Sequence, residues 1–447
     1  MKKQTVVMLW ACAILLVVVS CVGVYIFGRI NEKKQNAAIE VFVCSASEIS
    51  GYSVEDGDEG YKLVRSRGGW LVEKNSVAAI DVKKAESLVG SAARIVANGK
   101  IKKDSFERKE TKKIVIELND GTQKTVSFVG VSGDSSVFTV SGDDGLYTMY
   151  TANRDILTPS LNALRRLEIF EFADGDAGSI DSYEYRDNDG TVLCVRHKNA
   201  DELSKSGTNK YIMTEPYVRS VDDERFEQQI LVKLPAIKAE KFVDDFPDGV
   251  EKYGLDEAAR AALAISCGGK TETLFIGRND GGLVYAMKEG QDGVFALNSA
   301  QLEFLQTEPF YIIEGSLLKA ELEKVNRVVV RTGGAEFDIR REDGKDGARR
   351  YYINGKDTDE AAFDEGVSAI GKINILGELT VDVKNTADIS VLVYYDAPAE
   401  VQKIELAETD GKSYAAFVDN KAQFAVDKNV IDDIIKGLAE LASEPLK

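Results

Sequence analysis

The sequence predicts an α+β fold: an N-terminal transmembrane helix followed by three tandem repeats of a β-hairpin, an amphipathic helix, a β-meander and a short helix. Three observations predict it. The N-terminus carries an uncharged apolar run, strand-like segments alternate with amphipathic segments, and the aromatic landmarks Trp70, Tyr211 and Tyr351 recur about 140 residues apart. With 447 residues, 44% of them hydrophobic, the chain is long enough to bury several cores.

The apolar run extends from Val6 to Phe27 without a charged residue. A helix of this length spans about 33 Å, and the hydrocarbon core of a bilayer is about 30 Å thick. We therefore predict an uncleaved membrane anchor within residues 1–30, because a signal peptide has a shorter apolar region that ends in small residues. Lipidation of Cys21 is the alternative, since the residues 18–21, VVSC, resemble a lipobox, although the chain stays apolar after Cys21.

Either form of anchor tethers the remainder of the chain to the lipid bilayer. Residues 31–44 are predicted to be a juxtamembrane connector. Positive charge is nearly balanced on the two sides of the apolar run, so the positive-inside rule does not decide the orientation. A single N-terminal helix commonly leaves a short cytoplasmic terminus, and we therefore expect a single-pass protein of the cell membrane with an extracytoplasmic soluble part.

The three predicted repeats occupy residues 45–172, 173–318 and 319–447. Each opens with strand-like segments joined by acidic glycine turns, and an amphipathic helix follows. Asp81, Asp222 and Thr358 are the expected N-caps of these helices, because short polar side chains accept hydrogen bonds from the first free backbone N–H groups. The apolar residues behind Asp81 recur at helical spacing and predict one buried face.

A β-meander completes each repeat, and its last strand runs into a short helix. The last strands are predicted at residues 145–150, 293–297 and 423–426. The helices behind them are indicated by leucines and isoleucines at helical spacing. No proline- or serine-rich linker separates the repeats, so we expect them to pack against one another.

The balance of charge excludes one class of partner. Acidic residues number 74 and basic residues 56, which gives a net charge of −18. Phosphate backbones would be repelled by such a surface, so we predict that the chain does not bind nucleic acid.

Histidine and cysteine, the usual residues of nucleophilic catalysis and zinc binding, are scarce in this chain. His197 is the single histidine of the chain, and its neighbours alternate like a strand, which favours a sheet-surface position. Cys44, Cys194 and Cys267 are scattered without a CxxC pair, so neither a zinc knuckle nor a disulfide framework is indicated. We predict no metal site.

No motif assigns an active site. The acidic glycine clusters, such as residues 187–190, do not follow the spacing of a calcium loop and are typical of tight turns. Phosphate-binding glycine loops are missing from the sequence. Carboxylates are so numerous that a glycosidase-like pair stays open, yet no local pattern selects one. We therefore predict no catalytic residues, no cofactor and no enzymatic activity.

Several of these segments resemble a bacterial family known as domain of unknown function 4340. The resemblance lies in residues 68–72 (GGWLV), 252–256 (KYGLD), 274–277 (LFIG) and 294–297 (VFAL), and it is best in the second repeat. The first and third repeats lack the Tyr-Gly-Leu-Asp element. The resemblance implies envelope proteins with one N-terminal membrane helix, often encoded beside ABC transporter components, and it implies no functional residue.

Three hypotheses of function follow. The first is a membrane-anchored extracytoplasmic accessory or scaffold protein, associated with the permease or ATPase of an ABC-type transport system and without catalysis. The alternative is a cell-envelope protein that binds or hydrolyses polysaccharide through clustered carboxylates. The third is a solute-binding component, which would need a deep pocket between two repeats.

Overall fold

A computed structural model describes residues 38–443 apart from 58, 103–105, 109–111, 172–178, 191, 206–207, 319–320, 345–347, 380–382, 385, 397–400, 410 and 419–420. The chain divides into two compact units, Met1–Leu167 and Glu168–Lys447. The described residues form mostly strands, in three nine-stranded sheets and one two-stranded sheet, and every strand pair is antiparallel.

The first unit contains one nine-stranded sheet and the two-stranded sheet. Its strands are β1 (Ile39–Val43), β2 (Ile49–Asp56), β3 (Glu59–Ser66), β4 (Gly69–Val72), β5 (Arg94–Ala97), β6 (Gly99–Lys100), β7 (Glu107–Arg108), β8 (Lys112–Leu118), β9 (Gln123–Ser132), β10 (Ser135–Val140) and β11 (Asp143–Tyr150). Its helices are α1 (Val82–Ala92), α2 (Thr151–Leu157) and α3 (Leu161–Leu164), with a 3-10 turn at Ala46–Glu48. β1 pairs with β5, so a strand lies inside the segment predicted as a connector.

The second unit begins with the second nine-stranded sheet. Its strands are β12 (Ile180–Arg186), β13 (Val192–His197), β14 (Tyr211–Glu215), β15 (Arg219–Ser220), β16 (Ala239–Asp244), β17 (Ala261–Cys267), β18 (Lys270–Asp280), β19 (Leu283–Lys288) and β20 (Val294–Asn298). The accompanying helices are α4 (Ala200–Lys205), α5 (Asp223–Gln229) and α6 (Pro309–Ile312), and 3-10 turns lie at Leu231–Ala236, Glu251–Tyr253 and Ser299–Gln306.

The third nine-stranded sheet completes this unit. Its strands are β21 (Val325–Arg331), β22 (Glu336–Asp343), β23 (Arg349–Ile353), β24 (Lys356–Thr358), β25 (Ile375–Glu378), β26 (Ile389–Tyr395), β27 (Gln402–Glu408), β28 (Ser413–Val418) and β29 (Lys421–Asp427). Its helices are α7 (Glu360–Gly371) and α8 (Lys428–Ser443), with a 3-10 turn at Leu322–Lys324.

The second and third sheets share one strand order, and the first follows it with one strand fewer in its first meander and with β7 added beside β9. The first reads β4-β3-β2-β8-β9-β10-β11-β6, with β7 paired to β9. The second reads β15-β14-β13-β12-β17-β18-β19-β20-β16, and the third reads β24-β23-β22-β21-β26-β27-β28-β29-β25. Each sheet therefore consists of two meanders that meet at a central pair. The helix and one edge strand are inserted between those meanders in the sequence, and the edge strand pairs at the far side of the second meander.

Helix α1 covers one face of the first sheet in the predicted way. The side chain of Asp81 accepts hydrogen bonds from the backbone N–H groups of Lys83 and Lys84, so the predicted N-cap is confirmed. The buried residues of the helix lie at helical spacing and belong to the core of the first unit: Ala85, Leu88, Val89 and Ala92. Asp222 likewise caps α5, whose Phe226 is fully buried. In the third sheet the cap is Asp359, so the prediction of Thr358 was wrong by one residue.

The predicted α+β class is wrong, because the fold is mostly β. Helix α5 ends at Gln229, since Ile230 leaves the helical region (φ −123°, ψ −62°), and a 3-10 turn that contains Pro235 follows. The short helix predicted behind the second meander is a 3-10 turn at Ser299–Gln306. The one predicted behind the first meander breaks at 158–160 into α2 and α3. Strands make up 48% of the structure and helices 25%.

The predicted membrane anchor lies N-terminal to the part of the chain that the structure describes. The predicted helix Val6–Phe27, the anchor range 1–30 and Cys21 lie outside the described residues. Within the residues that are described, no helix has the length and apolar character needed to span a bilayer.

Candidate functional site

His197 lies at the end of β13, on the surface of the second sheet. Its ring stacks on that of Tyr211, with 4.6 Å between the centroids, and its Nδ1 lies 4.0 Å from Oδ1 of Asp181. That separation exceeds a hydrogen bond, so the pair interacts only weakly. The thiols of Cys44, Cys194 and Cys267 are free. In the described part of the chain, no group of three or more His, Cys, Asp or Glu residues could hold a metal ion.

Two of the motifs named above, residues 252–256 and 274–277, pack against each other. Gly254 ends a 3-10 turn with a φ of +68°, a conformation that favours glycine, and the buried Leu255 follows it. The hydroxyl of Tyr253 donates to Oδ2 of Asp244 at 2.9 Å. Gly277 of β18 lies directly below, because a Cβ there would be 2.4 Å from the carbonyl oxygen of Tyr253. The two motifs therefore hold a turn on a sheet.

Replacing Gly277 with alanine is expected to lower the free energy of unfolding by about 1–3 kcal/mol, because the added methyl group meets backbone that is fixed by the sheet. Urea unfolding of the full chain measures the change. Gly333→Ala is the matched control, since a Cβ at Gly333 meets nothing within 4 Å. Equal midpoints for the two variants would show that the close approach does not constrain the fold.

A cluster of aromatic and polar side chains connects the second and third sheets within the second unit. We call it the joint: Tyr217, Arg219, Phe310, Glu378 and Phe424. The rings of Tyr217 and Phe424 meet edge to face at 5.0 Å, and the Tyr217 hydroxyl donates to Oε1 of Glu378 at 2.6 Å. Burial, and then the Glu378 carboxylate, raise the pKa of Tyr217 far above its usual value, so the hydroxyl keeps its proton. Phe424 belongs to β29 but packs in the core of the second sheet.

A cleft of about 480 Å³ opens at the joint. Seven of its lining residues are apolar: Ile212, Pro216, Tyr217, Val218, Leu318, Val418 and Phe424. Its polar side is formed by Arg219, Ser220 and Glu314, among others. A concave, largely apolar hollow with a few polar groups, of this size, is typical of a site for a small molecule.

A second hollow of about 270 Å³, which we call the side pocket, shares three lining residues with the cleft: Ser220, Glu314 and Leu318. Lys198, Thr208 and Asn209 line it as well. The two hollows are therefore adjacent.

Lys198 brings a buried cation to the side pocket. It is 6% exposed, and within the described residues its Nζ has no hydrogen-bond partner. Burial lowers the pKa of Lys198, and the carboxylates of Asp223, Glu202 and Glu314 act in the opposite direction. An ammonium group has three donors to satisfy, so its burial without acceptors is unfavourable.

Arg219 brings a second cation to the cleft. Its Nη2 donates to the backbone carbonyls of Ser316 and, at 3.4 Å, of Glu314, while its buried Nε has no partner among the residues that the structure describes. The guanidinium carbon lies 5.6 Å from the centre of the Phe424 ring. Burial lowers the pKa of Arg219 to about 10, and the charge of Glu314 opposes that shift.

The carboxylates around Lys198 are engaged elsewhere. Glu202 forms two hydrogen bonds of 2.8 Å with Arg196. Asp223 accepts from the backbone N–H groups of Lys210 and Tyr211. Oε2 of Glu314 accepts from Nδ2 of Asn209 at 2.9 Å. They oppose the effect of burial on Lys198 electrostatically, and among the described residues none accepts a hydrogen bond from its ammonium group.

The first unit has a hollow of its own, about 790 Å³ in volume, beside β1 and β5. Its charged residues are paired with each other, since Arg94 bonds to Glu40 at 2.7 Å. Its lining includes the buried apolar residues Ile95, Met149 and Leu157, and none of its described residues carries a buried polar side-chain atom without a partner. The cleft and the side pocket are therefore the candidate site.

Sequence reasoning did not find this site. Lys198 directly follows His197, and Arg219 stands in a short polar stretch, so both look like ordinary surface cations. The one usable signal is that Lys198 directly follows β13 and Arg219 lies on β15, two strands that flank β14 in the sheet. That signal depends on knowing the strand order.

Comparison with known proteins gives one result. Residues 213–392 match the model of a family described as "Domain of unknown function (DUF4340)". The match runs from β14 of the second sheet to β26 of the third, and it includes Arg219, Glu314 and Glu378. No curated protein and no solved structure matches the chain significantly. The resemblance to this family seen in the sequence is thereby confirmed for residues 213–392.

Proposed function

We propose that the chain is a non-catalytic accessory protein, held at the cell membrane by its N-terminal segment, that serves as an extracytoplasmic scaffold for an ABC-type transport system. The observation that supports this best is the joint. It ties two nine-stranded sheets together through an edge-to-face ring pair and a hydrogen bond of 2.6 Å. A scaffold has to present its binding surfaces in a fixed arrangement, and a connection of this kind provides one.

The sequence supports the proposed location at the membrane. The run Val6–Phe27 matches the thickness of a bilayer, and the net charge of −18 keeps a soluble part away from anionic lipid. Charged residues stand along the edge strand β16, where Glu240 and Lys241 are exposed, and such charges prevent unspecific pairing of strand edges.

The test is affinity capture of the tagged full-length protein from gently crosslinked native membranes, with mass spectrometry of the captured proteins. We expect a permease or ATPase of an ABC-type transporter to be recovered reproducibly. Replacing residues 1–30 with a cleavable secretion signal should abolish that recovery while the protein is still made. Recovery of the protein alone, or only with wall material, would refute the proposal.

The polysaccharide alternative lacks a comparable observation. A hydrolase needs a carboxyl group with a raised pKa as its general acid. Glu272 is the carboxylate most deeply buried in the described residues, at 5% exposure. Burial alone would raise its pKa, yet hydrogen bonds from Lys288 and Lys270 leave it lowered. A carboxylate held in this way is a structural anion.

A further inference from the structure

The side pocket contains a cation that the fold leaves without acceptors. The Nζ of Lys198 is buried and unpartnered in the described structure, and the residue is part of the lining of a hollow of about 270 Å³. Thr208, Asn209 and Ser220 line the same hollow and carry hydroxyl or amide donors. A ligand that offers oxygen acceptors there would satisfy donors that the protein itself does not.

A second cation, Arg219, lines the adjoining cleft. Arg219 lines the cleft and has an unpartnered Nε, and Glu314 acts electrostatically on both Arg219 and Lys198. The two cations thus line adjoining hollows, and apolar residues such as Tyr217 and Phe424 line the cleft as well. Hydrogen bonds from charged donors to a charged acceptor are shorter and stronger than neutral ones.

The neighbouring charges limit what the ligand can be. Glu202, Asp223 and Glu314 all lie within electrostatic reach of Lys198, so a doubly charged group such as phosphate would be repelled. A single carboxylate carries two acceptor oxygens and one charge. Next to it, Tyr217, Phe424 and Val418 offer an apolar surface for the remainder of the molecule.

We propose that the cleft and the side pocket together bind a small organic monocarboxylate with an apolar body, and that Lys198 and Arg219 donate hydrogen bonds to its carboxylate. This gives the accessory protein a solute-binding site between its second and third sheets. The inference is independent of the transporter partner, since it rests on the second unit alone.

Isothermal titration of the full-length protein with N-acetyl-L-phenylalanine, and with its neutral counterpart N-acetyl-L-phenylalaninamide, tests the proposal. The two probes have the same size and apolar body and differ in charge. We expect the acid to bind about tenfold more tightly than the amide. Equal affinities, or no binding of the acid up to about 10 mM, would overturn the proposal.

Variants assign the binding to the two cations. Lys198→Gln and Arg219→Gln should each weaken binding of the acid about tenfold and leave the amide unaffected. Lys233→Gln is the matched control, because Lys233 is exposed and lines neither hollow. Unchanged affinity of the Lys198→Gln protein would contradict the assignment.

A variant of Glu314, which lines both hollows, is expected to strengthen binding of the acid. Glu314→Gln keeps an acceptor for Asn209 but removes a negative charge near both cations, so it should strengthen binding of the acid several-fold. Thermal unfolding of each variant shows whether it is folded. A Glu314→Gln protein that is folded and binds the acid more weakly would also overturn the proposal.

Discussion

Replacing Phe424 with alanine is expected to separate the unfolding of the third sheet from that of the second and to lower the free energy of unfolding by about 3–5 kcal/mol. Phe424 is 2% exposed and contacts Tyr217 and Phe310, which belong to the second sheet's core. Its removal leaves a cavity at the point where the sheets connect. Calorimetry should resolve two transitions in place of one. Hydrogen exchange should show faster opening in the strands of both sheets.

Phe417→Ala is the matched control for this effect. Phe417 is also a buried phenylalanine of the third sheet, at 4% exposure, but it packs in a satellite cluster with Ala407 and Ala415. Its replacement should destabilise the third sheet and leave hydrogen exchange in β12–β20 unchanged. If both variants accelerate exchange in the second sheet equally, the joint has no special role in coupling the sheets.

Glu272→Gln is expected to be the second most damaging substitution, with a loss of about 3 kcal/mol, because it leaves a buried ammonium group without its counter-ion. Glu272 on β18 accepts from Lys288 at 2.6 Å and from Lys270 at 3.1 Å. It also accepts from the backbone N–H of Glu171 at 3.2 Å, while Lys288 donates to the carbonyl of Ile169. The cluster thus holds the segment before β12 against the sheet. Urea unfolding measures the loss.

The pH dependence of stability provides an independent check. The pKa of Glu272 is lowered in the folded protein, so its stabilising effect is complete above the ordinary value of 4.5 and is lost as the pH falls through the folded value. The variant should therefore lose less stability than the natural chain on acidification below that value. Glu336→Gln is the control, since its pair with Arg331 is more than half exposed and should matter by less than about 1 kcal/mol. A similar loss in both variants would contradict the assigned role of burial.

Local features of the fold could be predicted because they depend on neighbouring residues. Asp81 caps its helix by bonding to groups two and three residues ahead, and the buried face of α1 follows from helical spacing. The cap of α7 was placed one residue early because Thr358 and Asp359 are both suitable side chains, and only the backbone geometry decides between them.

The fold class and the candidate site around Lys198 and Arg219 depend on contacts between segments that are distant in the chain. Such contacts cannot be inferred from one sequence. The strands beside Asp222 and Asp359 could be recognised, but not their arrangement into nine-stranded sheets around short helices. The burial of Lys198 likewise results from β13, α5 and the segment near Glu314 meeting in space. In sequence, a lysine after a strand is indistinguishable from a solvated one.

The shared strand order has a consequence for folding. In each sheet the central pair, such as β12 with β17, joins strands that are separated by the rest of the first meander, the helices and an edge strand. The contact order is therefore high, and folding is expected to be slow. Three copies of one topology on a single chain also offer incorrect partners, because a first meander can pair with the second meander of another copy. Domain swapping is the characteristic error of such chains. Synthesis from the N-terminus reduces it, since each copy can close before the next is complete.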